Sequence, residues 1–75
     1  MLLPNNMNPE NSIYYNGAII LEALQKQRKQ DLLDLFKNVK RQHSMSFGLF
    51  ILSLDWLYLI DVAVLNKYGE IELCS

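Results

Sequence analysis

Residues 46–74, SFGLFILSLDWLYLIDVAVLNKYGEIELC, change period halfway along, and that change decides the fold. From Phe47 to Ile60 the apolar residues follow helical spacing behind Ser46, a residue type favoured at helix N-caps. After Asp61 the run Val62-Ala63-Val64-Leu65 favours strand, and Asn66-Lys67-Tyr68-Gly69 reads as a turn. Glu70-Ile71-Glu72-Leu73-Cys74 then alternates polar and apolar. Two such runs around a short loop containing Gly predict a β-hairpin.

Upstream, Leu32, Leu35, Phe36 and Val39 form one apolar stripe, which predicts a helix over 31–41. Asp31 and Asp34 lie near its start, and Lys37, Lys40 and Arg41 near its end, as the helix dipole prefers. Gln42 to Met45 is a short connector. Ile13, Gly17, Ile20, Leu21 and Leu24 predict a first helix over 13–27, and the cluster KQRKQ (26–30) links it to the second. The opening MLLPNNMNPENS is turn-rich, with Asn8 or Ser12 as candidate caps and Pro9 at a first helical position.

The expected architecture is α+β and mostly helical, one small winged helix-turn-helix-like domain over 1–75. It comprises an extended N-terminal segment (1–12), three helices (13–61) and a hairpin, the wing (62–75). Met1–Leu3 is a candidate third strand.

Size and composition bear on what such a domain does. A chain of 75 residues buries only about 60% of the surface exposed when unfolded, so its core is marginal without help. Cys74 is the sole cysteine and His43 the sole histidine, so neither an internal disulfide nor a four-ligand Cys/His zinc site is expected. A partner chain is the remaining support. Apolar residues at 51% against 20% charged agree with a subunit, and they exclude disorder. The opening carries no basic n-region or long apolar core, so no secretory signal is expected. The run Phe47–Ile60 is short for a membrane span and is broken by Asp55. A cytoplasmic location follows as the expectation.

The net charge of −1 is unevenly distributed. Lys26, Arg28, Lys29, Lys37, Lys40 and Arg41 form a basic island between acidic flanks, which reads first as a solvated face with helix-end charges and second as a candidate contact for nucleic acid or an acidic partner.

The third helix tests the DNA-reading function that a winged helix suggests. On a wheel of about 100° per residue its apolar residues divide into two faces. Phe47, Phe50, Ile51, Leu54, Leu57 and Tyr58 make the face expected to pack inward. Leu49, Leu52, Trp56, Leu59 and Ile60 make the other, expected to be exposed with Trp56 near its centre. That face offers none of the Arg, Lys, Asn or Gln side chains that read base edges. The helix has no cation, and in the hairpin Lys67 is offset by Glu70 and Glu72. A protein interface at Leu49, Leu52, Trp56, Leu59 and Ile60 is the expected role, with Trp56 as its hot spot. The alternative is that Leu2, Leu3 and Met7 of the N-terminal segment fold back over this face.

No catalytic constellation is expected. His43 has no carboxylate placed by spacing, Asp55 and Asp61 do not form an acid/base pair, and three scattered glycines make no phosphate loop. Tyr14-Tyr15 reads as packing rather than a base-stacking platform. No cofactor or metal is expected.

The residues resemble a family. Leu2, Leu3, Pro4, Pro9, Ser12, Gly17, Leu21, Glu22 and Leu24 match the opening of the middle component subunits of bacterial ABC three-component systems, middle component six above all. Phe47, Phe50, Leu54, Asp55, Leu57, Tyr58 and the hairpin around Gly69 match its last helix and wing. Asp61 stands where the family often has glycine before the wing. The resemblance implies a non-enzymatic adaptor subunit joining an SMC/Rad50-like ABC ATPase to an effector component in defence against phage or plasmids, with DNA touched only through the complex. A small DNA-binding regulator using residues 26–41 is the alternative function, and a homodimer burying the third helix is a third arrangement.

Overall fold

The structure is a computed structural model and describes residues 12–74. The chain is a small, mostly helical α+β domain. In order come α1 (Ile13–Lys26), β1 (Lys29–Asp31), α2 (Leu32–Gln42), α3 (Phe47–Leu59), β2 (Ala63–Leu65) and β3 (Glu70–Leu73). Each helix starts at a side-chain cap. Ser12 Oγ accepts from the Tyr14 and Tyr15 N–H groups, Asp31 from Leu33 N–H, and Ser46 Oγ from Leu49 N–H. The expected helix boundaries agree to within a residue. The alternative start at Asn8-Pro9 and the candidate strand Met1–Leu3 lie outside the described residues.

A strand that the sequence reading did not assign joins the hairpin. Residues 29–31, read from sequence as part of a connection, pair antiparallel with β3, Gln30 opposite Ile71. β2 pairs with the other edge of β3, giving the order β1-β3-β2. The ladders continue past the strand ends, with Leu73 N–H donating to Arg28 C=O and Cys74 N–H to Val62 C=O. β1 escaped the periodicity because its only inward residue, buried between two exposed charges, is a glutamine.

That glutamine is a junction. Gln30 Nε2 donates to Ala23 O at 3.0 Å and Gln27 O at 2.8 Å, satisfying carbonyls at the end of α1. Its Oε1 accepts from Asn38 Nδ2 of α2 at 2.7 Å. One buried side chain therefore ties both helices to the sheet.

The core draws on all three helices and the sheet: Ile20 and Leu24 from α1, Leu35 and Val39 from α2, Phe50, Leu54 and Leu57 from α3, Ala63 and Ile71 from the strands. Met45, in the α2–α3 connector, is buried with them. Phe36, Phe47 and Phe50 form an aromatic cluster between α2 and α3.

Two residues with positive φ set the hairpin. Gly69, at +78°, closes the turn, and its N–H donates to Asn66 O. Asp61, at +61°, ends α3 in the left-handed conformation. Asp61 N–H donates to Tyr58 O and Val62 N–H to Leu57 O, the two bonds of a Schellman cap. Replacing Asp61 by glycine should raise stability by about 0.5–1 kcal/mol, and Asp61→Val should lower it by about 1–2 kcal/mol, because a β-branched residue resists positive φ. Urea melts of the three proteins check both.

Candidate functional site

The outward arc of α3 follows from which side chains α1, α2 and the sheet bury. Phe50, Ser53, Leu54 and Leu57 are buried, as expected for all but Ser53. The opposite arc holds Gly48, Leu52, Asp55 and Leu59, every one exposed. Leu52 is 60% and Leu59 81% accessible, and Ile60 just beyond the helix is exposed too.

This corrects the centre of the expected face. Trp56 is half-buried rather than exposed, because α1 comes to it at Gly17. A Cβ on Gly17 would lie 2.9 Å from Trp56 Cε3, so only glycine allows the indole to lie there. Tyr14, one turn earlier on α1, meets the same indole edge-on, with ring centroids 5.0 Å apart. Leu49 is half-buried against the core. Of the five expected interface residues, Leu52, Leu59 and Ile60 are presented to solvent, while Leu49 and Trp56 chiefly hold α3 in place. On the inward-assigned face Phe47 is the exception, exposed at the start of the helix. Any covering of Trp56 by Leu2, Leu3 or Met7 lies outside the described residues.

Ser53 could pass for a polar divider between the two faces, yet it is fully buried. Its Oγ has no hydrogen-bond partner among the described residues. Tyr58, half-buried, has its hydroxyl pKa raised by burial and by the Asp55 carboxylate, so it stays protonated at neutral pH.

The basic island does not form one patch. Lys26 in the last turn of α1 and Arg41 in the last turn of α2 both line a cleft between those helices. Lys29 stands on the outer face of β1 opposite Glu72. Lys37 and Lys40 lie on the solvent side of α2, away from Leu35 and Val39, with the Lys40 ammonium 5.5 Å from the centre of the Phe36 ring. Arg28, between α1 and β1, is exposed.

In the hairpin, Asn66 Nδ2 donates to both Glu70 Oε1 and Glu72 Oε2. Its Oδ1 accepts from the Tyr68 and Glu70 N–H groups. The amide rigidifies the turn and holds two carboxylates on the outer face of β3. Among the described residues no three His, Cys, Asp or Glu side chains come together as metal ligands. No helix among them is long and apolar enough to cross a membrane.

Comparison with known proteins gives the family. The model of ABC-three component (ABC-3C) system Middle Component 6 matches residues 3–74. The chain belongs to this family and is therefore a component of such a system. No curated protein and no solved structure matches it significantly.

The Gly17–Trp56 contact yields a double-mutant cycle. Gly17→Ala gains about 1 kcal/mol of helix propensity but overpacks the indole at about 1–3 kcal/mol, so the domain should lose stability. Trp56→Ala alone should cost about 2 kcal/mol, below the range for fully buried aromatics. In the Trp56→Ala background, Gly17→Ala should instead stabilise by about 0.5–1 kcal/mol. Chemical denaturation of the four proteins tests the sign reversal.

Proposed function

We propose that the chain is a non-catalytic, winged-helix-like adaptor that joins the ABC ATPase of its system to an effector component, using the outward face of α3. The exposure of Leu52 and Leu59 on either side of Asp55 carries this reading. Fully burying one large apolar side chain contributes about 1.5–3 kcal/mol, so leaving both leucines in water forfeits an appreciable part of a small domain's stability. A partner surface recovers that energy. Ile60 extends the apolar surface, and Val64 and Leu65 on β2 are exposed as well. An amphipathic partner helix or groove with a hydrogen-bond donor for Asp55 complements such a face.

Membership of a multi-component family supports the reading, because such a component works by contact with others. Resemblance to subunits encoded beside SMC/Rad50-like ATPases supports an ATPase of that class as the partner and a role in defence against phage or plasmids. A DNA-reading role for α3 has little physical support. Its outward arc carries one charge, the carboxylate of Asp55, which repels phosphate where a reader supplies cations.

Combining Leu52→Asp with Leu59→Asp should abolish co-purification with the ATPase and effector of the same system. Its melting free energy should stay within about 0.5 kcal/mol of the parent, as expected for surface positions. Leu54→Ala on the buried face should do the reverse, lowering stability by about 2–5 kcal/mol. A doubly substituted chain that still binds both partners would overturn the assignment of this face.

A further inference from the structure

We propose that the cleft between α1 and α2 docks an acidic side chain of a partner protein, as an attachment point separate from the α3 face. Its being a second attachment rests on the adaptor reading, but the chemistry of the cleft does not. The cleft has a volume of about 220 Å³, and no residue of α3 or of the hairpin lines it. That is below the roughly 300–1,000 Å³ of small-molecule pockets and is suited to an inserted side chain.

Charge sets what that side chain carries. Lys26 and Arg41 come from separate helices to the same walls, and His43 at the C-cap of α2 adds an imidazole. Among the described residues Glu22 is the one carboxylate that lines the cleft. Gln42 supplies an amide donor beside the cations, while the Gln27 and Asn38 amides already donate to Lys29 O and Gln30 Oε1.

Helix C-termini favour cations, so Lys26 and Arg41 could simply answer the carbonyl ends of α1 and α2. Several of those carbonyls are already occupied. Gln30 Nε2 takes Ala23 O and Gln27 O, and His43 N–H takes Val39 O. The bond from Asn38 Nδ2 to Gln30 Oε1 at 2.7 Å fixes the floor before any ligand arrives. Both cations are exposed side chains on the cleft walls over a preorganised base, and an arginine fork with a lysine is well matched to a carboxylate.

Duplex DNA is the poorer occupant. Of the basic island only Lys26 and Arg41 line the cleft, and Lys29 stands apart on β1 opposite Glu72, so the cleft itself offers two cations rather than a row of them. An acidic polypeptide needs only the local pair.

The test uses the full ¹⁵N-labelled chain titrated at low salt with a glutamate-rich decapeptide, and with the same peptide carrying glutamine for glutamate. Amide shifts should concentrate in residues 22–27 and 38–43, and the glutamine peptide should produce none. The Lys26→Gln/Arg41→Gln variant should raise Kd about tenfold or more with an unchanged melt, and Lys29→Gln/Lys67→Gln, on the sheet and its turn, should leave it within about twofold. Shifts spread evenly over all cationic surfaces, equal losses in the two variants, or displacement of the peptide by a short duplex at equal charge concentration would each overturn the proposal. Because the isolated chain and a peptide give the readout, its failure is distinct from any failure of Leu52/Leu59 co-purification.

Discussion

The approach of α1 to α3 at Gly17 governs the rest of the arrangement. With no Cβ there, the Trp56 indole lies against the backbone of α1, and Tyr14 closes on its edge. That contact fixes the rotation of α3 about its own axis. The rotation in turn decides which residues become core and which face water: Ser53 goes inward, while Leu52 and Leu59 go outward. A larger residue at position 17 would push the helices apart or turn α3, and the outward arc would change its members.

A second constraint operates through polar atoms. Gln30 is buried where a β-strand would ordinarily present a branched aliphatic, and it brings the end of α1, the middle of α2 and the sheet into one hydrogen-bonded junction. Such a group is tolerated only when its bonds are made, and both ends of this amide are satisfied. The junction also shapes the polar end of the molecule, because the cleft between α1 and α2 opens over it.

How far the sequence could be read follows from these two constraints. The three helices and the hairpin were legible because caps, apolar stripes and the Gly69 turn all point the same way for each element. β1 was not, since three residues are too few for a period and their inward member is polar. The inward face of α3 was legible at Phe50, Leu54 and Leu57. The rotational position of Trp56 was not, because a wheel orders residues around one helix and is silent about a glycine on another. Gly17 fell on the apolar stripe of the first helix and gave the only signal. Its pairing with Trp56 needed the third dimension. Likewise the basic residues 26–41 read as one island along the chain, while the fold sends Lys26 and Arg41 to a shared cleft and the rest elsewhere.

The strand order β1-β3-β2 bears on how the domain assembles during synthesis. The strand at the centre of the sheet is the last of the described elements to emerge, and Lys29 must wait for Glu72, far along the chain, before its ladder exists. The helices can form as they appear, whereas both edges of the sheet remain unpaired until the same four residues arrive. Pairing at that sequence separation is slow compared with local helix formation. The Gln30 junction is therefore complete only once β3 is available to pair with β1. One four-residue strand thus completes the β1 ladder and the hairpin alike.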